Sequence, residues 1–292
     1  MAQHGTGQHR THHDNHAHRV EHEHDPGHEA DLADMLDLDA EILGSYLDDM
    51  TAWAEKHARE VPDRVVDLGA GTGTGTLALA RRFPQAEIVA VDSSASMLER
   101  IEASARRQGL TGRLRVVQAD LDVAWPEVGA VDLAWAALSL HHVADPDRML
   151  SDLFAALNPG GLLVVIEMDS LPRFLPDDVG HGRSGLETRL HDAMAQDDWN
   201  AHPDWRESLE RAGFAMAAQQ TFDIEVSPAP PSLERYARMF LSRVRSALED
   251  RLTIDDLDTL DHLFADESTN ALLRRHDLTL RSSRTAWAAR RP

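Results

Sequence analysis

The run Val65-Val66-Asp67-Leu68-Gly69-Ala70-Gly71-Thr72-Gly73 sets an acid and three glycines directly behind a stretch of branched apolar residues. Glycines so spaced let a strand turn sharply into a helix, and they keep side chains away from a ligand pressed against the backbone. A side chain at Gly69 or Gly71 would obstruct that approach. The register separates two ligand classes. A dinucleotide fingerprint beginning at Gly69 requires glycine at position 74, where Thr74 stands, and the alternative spacing Gly73, Gly75, Ala78 begins too far past the strand. Asp67, placed beside the loop amides, would repel a pyrophosphate but could hold an ammonium directly or through water. The loop therefore suits a zwitterionic, sulfonium-bearing ligand better than a dinucleotide.

Further along the chain, Asp92 closes Val89-Ala90-Val91-Asp92 and Asp120 follows Gln118-Ala119; each could serve a ligand or merely cap a helix. His141 and His142 lie in Leu140-His141-His142-Val143. Histidine ionises nearest neutrality, so either could take a proton from a hydroxyl, an amine or an activated carbon; a structural role is the alternative. Glu167 ends a later apolar run, where it faces an acceptor or caps the next loop. Arg235, Arg238, Arg243 and Arg245 could meet an anionic acceptor or line a solvated helix, and Tyr46 and Trp53 could cover a ligand or pack in a core. Among the many histidines of the N-terminal segment, His12, His13, His16, His18, His22 and His24 alternate with acids and could chelate nickel, zinc or copper as a flexible site, or belong to a solubilising tail.

The elements that must position these residues are legible from periodicity. Residues 64–68, 87–92, 114–119, 131–136 and 162–167 read as buried strands, and 74–83, 94–108 and 146–157 as the helices between them. That alternation predicts an α/β fold with a mostly parallel sheet, helices on both faces and ligands at the carboxyl ends of the strands. A leading amphipathic helix is expected over 38–59. Beyond Glu167 the pattern predicts helices over 185–196 and 203–212, a strand within 214–226, a helical insert at about 228–276 that could form a lid, and a last strand over 278–289. Thr253 with Asp256 suggests a capping box within the insert. The expected organisation is a disordered His/Asp/Glu-rich tail at 1–30, a helical segment at 31–62 and one domain at 63–292.

Composition narrows the function. A net charge of −21 over 292 residues opposes nucleic acid as substrate, since tracking phosphates needs concentrated basic surface. No apolar run is long enough to cross a bilayer, and the absence of cysteine excludes disulfide and thiolate chemistry. A cytoplasmic monomer or homodimer without nucleic-acid or membrane partners is expected.

With these motifs in place, Asp67 to Glu167 resembles the class I S-adenosylmethionine-dependent methyltransferases. The Leu-His-His-Val run is similar to their ubiquinone/menaquinone-type, small-molecule branch. The resemblance implies a Rossmann-like seven-stranded sheet and a cofactor site at Asp67, Gly69, Ala70, Gly71 and Gly73 for the methionine end, Asp92 for the ribose hydroxyls, Ser93 and Met97 along the adenine, Asp120 and Leu121 for its amine and a ring nitrogen, and Ala136 at the fourth strand end. Asn158-Pro159-Gly160-Gly161 matches the family's turn into the fifth strand. Methyl transfer to a small-molecule acceptor, leaving S-adenosylhomocysteine, is the expected function. Two alternatives stand beside it: a non-catalytic or metal-responsive protein on the same fold, and an NAD(P)-dependent oxidoreductase.

Overall fold

A computed structural model describes residues 26–196 and 204–292, with side chains from residue 31. The apolar runs form one seven-stranded sheet from β1 (Arg64–Leu68), β2 (Glu87–Asp92), β3 (Leu114–Gln118), β4 (Val131–Ala137), β5 (Leu157–Arg173), β6 (Ala215–Val226) and β7 (Leu280–Arg290). Their spatial order is β3-β2-β1-β4-β5-β7-β6, with β7 the antiparallel strand between β5 and β6. The chain reverses direction of placement at β1, which opens a crevice beyond the carboxyl ends of β1 and β4, where ligands of such sheets bind.

The helices are α1 (Pro26–His57), α2 (Thr74–Arg82), α3 (Ala95–Gln108), α4 (Pro146–Ala156), α5 (Leu186–Ala195), α6 (Trp205–Arg211), α7 (Ser232–Ala247) and α8 (Ile254–Phe264). They cover both sheet faces. One apolar cluster joins α1, α2, α5, α7 and α8 to the sheet through residues such as Trp53, Leu79, Leu190, Tyr236 and Leu260; the other joins α4 and α6 through Met149, Leu153, Trp205 and Leu209. Among the described residues no helix is long and apolar enough to cross a membrane.

Two elements exceed their expected lengths. The leading helix begins at Pro26, not near Leu38, so it reaches into the stretch expected to be a disordered tail; proline is well suited to a first helical turn, where its missing N–H has no partner to lose. Strand β5 runs to Arg173 although its apolar pattern stops at Glu167. Pairing with β7 carries it on, through Ser170 opposite Ser283 and Arg173 opposite Arg281. Pairing likewise brings Leu157 into the strand, opposite Val131, so the Asn158–Gly161 turn lies within β5. Thr253 caps α8 by accepting from the Asp256 N–H, but the Asp256 carboxylate takes the Thr253 hydroxyl and Arg189 instead of closing a capping box.

Candidate functional site

The glycine loop is built by backbone geometry that other residues resist. Gly69, Gly71 and Gly73 have φ of 65°, 53° and 91°, left-handed values that cost residues with a Cβ about 1–2 kcal/mol. Packing adds a second requirement, and at Gly69 it comes from the protein as much as from any ligand. A Cβ there would lie 2.5 Å from Ser139 Cβ, and the Ser139 hydroxyl donates to the Leu68 carbonyl at 2.8 Å. A Cβ on Gly73 would lie 2.7 Å from Ile101 Cγ1 of α3. Above Gly71 stands Leu36 of α1, so the leading helix roofs the loop. Asp34 and Asp37 of the same helix pair with Arg100 of α3, and Asp34 also with Arg235 of α7.

Asp92, at the carboxyl end of β2, ties the loop to the next crossover. Its Oδ2 accepts from the Gly71 N–H at 2.8 Å and its Oδ1 from the Ser94 N–H at 2.9 Å. Ser94, not Asp92, caps α3 by accepting from the Met97 N–H. Each Asp92 oxygen keeps a further lone pair, and the residue is only half-buried, so the carboxylate can still accept from a ligand. Ser93 is exposed beside it, its carbonyl held by Gln118 Nε2, and Met97 is buried. Asp120 is exposed past β3, where its Oδ1 accepts from the Asp122 N–H in a local turn; the Leu121 carbonyl takes Arg148.

Asp67 departs from its expected place. It does not line the loop's open side: it lies beneath, 3% exposed, with Oδ2 accepting from the Thr76 hydroxyl at 2.6 Å. Burial pushes its carboxyl up to about 7, the Thr76 bond opposes this, and the nearby Asp92 charge adds to it. The acid thus braces the loop from below. Ala70 and Ala136 are likewise turned inward, Ala70 against Leu98 and Ile101 and Ala136 into the α4-side core, so only their backbones are placed to serve a ligand.

Where β4 leaves the sheet beside the middle of β5, the structure brings together two residues whose pairing no local pattern reveals. His141 Nδ1 is 2.8 Å from Glu167 Oε2; the imidazole is 23% exposed and the carboxyl 1%. Glu167 Oε1 is buried without a hydrogen-bond partner among the described residues. His142 is exposed, its ring 4.0 Å from that of His141. Leu138, where β4 leaves the sheet, has φ 55°, uncommon for leucine, and donates its N–H to Ile166 O. This kink delivers the Ser139–His142 turn to both the glycine loop and Glu167.

The remaining candidates serve the framework. Tyr46 bonds the Glu225 backbone, and Trp53 packs edge-on against Phe222. Arg235, Arg238 and Arg245 are paired with Asp34, Asp266 and Asp261, and Arg243 is exposed on the same helix. His12, His13, His16, His18, His22 and His24 lie outside the described residues. Among the described residues no group of three His, Cys, Asp or Glu side chains is arranged to hold a metal ion.

Known proteins resemble this chain in part of its sequence and in its fold. Residues 65–161 match the family model described as "Methyltransferase domain". Trans-aconitate 2-methyltransferase of Variovorax paradoxus is 38% identical over 135 residues, covering 45% of this chain and 50% of that protein. Malonyl-[acyl-carrier protein] O-methyltransferase of Laribacter hongkongensis is 33% identical over 168 residues, 54% of this chain and 52% of that protein. Demethylmenaquinone methyltransferase of Thermus thermophilus is 36% identical over 115 residues, 39% of this chain and 51% of that protein. The chain spans about half the length of the curated relatives it matches. A crystal structure from Bacillus halodurans C-125, described as a candidate methyltransferase, superposes with TM-score 0.53 at 18% identity, over 84% of this chain and 99% of that one. At that identity the likeness is one of fold.

Proposed function

We propose that this chain, which carries a class I S-adenosylmethionine-dependent methyltransferase domain and its sheet, transfers a methyl group from S-adenosylmethionine to a small-molecule acceptor. One observation carries the reading: Asp92 grips the glycine loop by the Gly71 amide, so a two-oxygen acceptor and a loop stripped of side chains face the same crevice at the sheet's carboxyl edge. A vicinal diol suits the two carboxylate oxygens, and a compact zwitterion suits the bare loop. The residues present therefore fit the cofactor.

When bound, that cofactor supplies a methyl carbon made electrophilic by its sulfonium. The chain's task is alignment, exclusion of water and proton handling. Asp92 would hold the ribose hydroxyls, Asp120 and the Leu121 amide the adenine edge, Ser93 and Met97 its face, and the Gly69–Gly73 backbone the methionine end. Asp67 contributes from below by fixing loop shape through Thr76. Leu36 and the Asp34, Asp37 pairs with Arg100 keep α1 over the loop and water out. The His141–Glu167 pair would take the acceptor's proton; exposed His142 is the weaker candidate. The named relatives act on trans-aconitate, a carrier-bound malonyl group and demethylmenaquinone, unlike acceptors that favour a small-molecule substrate without specifying one.

Calorimetry with S-adenosylhomocysteine tests the reading. Binding is expected, and Asp92→Ala should weaken it by about tenfold or more, the cost of losing charge-assisted hydrogen bonds. No binding at millimolar concentration, or equal binding of NADH, would overturn it.

A further inference from the structure

Glu167 poses a problem that the loop and Asp92 do not solve. Its carboxyl is buried midway along β5, one oxygen on His141 Nδ1 at 2.8 Å and the other with no donor among the described residues. Across the ladder stands Thr285, whose hydroxyl is committed to Asp169 and Thr221. A buried carboxylate oxygen left unpaired is costly, and the His141 ring against this carboxyl is 23% exposed, so a ligand that reaches the imidazole could bring the missing donor. Carboxylates accept only, when ionised, so the missing partner is an O–H or N–H.

We propose that Glu167, anchored to His141 by Oε2, receives a hydrogen-bond donor of the acceptor on Oε1, so that this site methylates an atom that arrives carrying a proton, a hydroxyl oxygen or an amine nitrogen, and rejects a carboxylate. The inference rests on the methyltransferase reading and adds the acceptor's chemical class. In the transfer, the acceptor's lone pair forms the bond to the methyl carbon as the carbon–sulfur bond breaks toward sulfur. The acceptor's proton passes to Glu167 Oε1, the oxygen it already meets, so the sulfonium charge and the carboxylate charge are lost together while His141 Nδ1 stays on Oε2. A carboxylate acceptor has no proton to give and would set a second negative charge against a buried carboxylate, where like charges repel most. Glu167 therefore selects the acceptor and takes its proton, held in place by His141.

The test uses the full chain saturated with S-adenosylhomocysteine and labelled at histidine, with methylammonium, phenol and acetate as probes and the His141 ring resonances as readout. Methylammonium and phenol should shift those resonances with at least about tenfold tighter apparent binding than acetate, and Glu167→Gln should bring methylammonium and acetate to within about threefold of each other, as expected when a charge in a shielded site is removed. Unchanged S-adenosylhomocysteine affinity checks that the variant is folded. Acetate binding as tightly as methylammonium in the unaltered chain, silence toward all three probes, or selectivity unaffected by Glu167→Gln overturns the proposal. Failure of S-adenosylhomocysteine itself to bind would instead defeat the cofactor assignment.

Discussion

Replacing Asp67 by asparagine should make the protein's stability respond differently to pH, and the size of the change follows from where the residue sits. In the unfolded chain this carboxyl ionises near 3.8, whereas burial lifts it to about 7 in the fold. Between those values the native protein holds a proton that the unfolded chain has released, so wild-type stability falls as pH rises through the window and levels off above about 7. Each tenfold difference in proton affinity is worth about 1.4 kcal/mol, so ionising Asp67 costs the fold about 4 kcal/mol in total, and about 3 kcal/mol of it falls between pH 5 and pH 8. In Asp67→Asn the new side chain keeps an oxygen for Thr76 but cannot ionise, although its amide donors could lower stability at every pH. The quantity to measure is therefore the difference between variant and wild type in urea unfolding free energy, taken at pH 5 and again at pH 8. Other titrating groups cancel in that comparison. The variant should gain on the wild type by about 3 kcal/mol across the interval; a difference that stays flat within about 0.5 kcal/mol would refute a neutral, loop-bracing Asp67.

Further outcomes can be measured on the same protein. His191 is pushed down to about 4 by burial and then by Arg173. A base depressed in this way leaves stability intact above its unfolded value and drains it as pH falls toward 4, by up to about 3 kcal/mol, and His191→Gln should remove that slope in parallel urea titrations. Gly69→Ala forces a left-handed φ on alanine and drives its Cβ into Ser139. It should cost about 2–4 kcal/mol, with part recovered in the double variant with Ser139→Gly; no recovery would mean that backbone conformation alone sets the penalty. Tyr236→Phe deletes the part-buried bond from Tyr236 Oη to Asp39, 2.9 Å long, which links α7 to α1, and should lower unfolding free energy by about 1 kcal/mol. Deleting residues 1–25 should leave S-adenosylhomocysteine binding intact in the calorimeter and remove any nickel or zinc binding that the full chain displays; metal binding that survives would locate it elsewhere.

Much of the frame is legible in the sequence because it is encoded at short range. Branched apolar residues such as Val65 and Val66 and the run Ile88–Val91, buried on both faces, point to a doubly covered parallel sheet. The order of glycines after Asp67 announces the turn, since left-handed backbone at three alternate positions tolerates little else. The strand ends carrying Asp92 and Asp120 follow from that alternation. What periodicity missed lies where tertiary pairing overrides composition: the polar end of β5 is held as strand by β7, and the acid-rich start of α1 is held by Arg100 and Arg235.

Residue order thus specifies which elements exist and at which loop a ligand would be met, because helix and strand periods and glycine conformations act over a few neighbouring positions. Long-range packing alone buries Asp67 instead of presenting it, wedges Ser139 against the loop from 70 residues away, and sets His141 rather than His142 on Glu167. Those outcomes depend on sheet order and on the kink at Leu138, and crossovers that join distant strand ends leave no trace in local spacing.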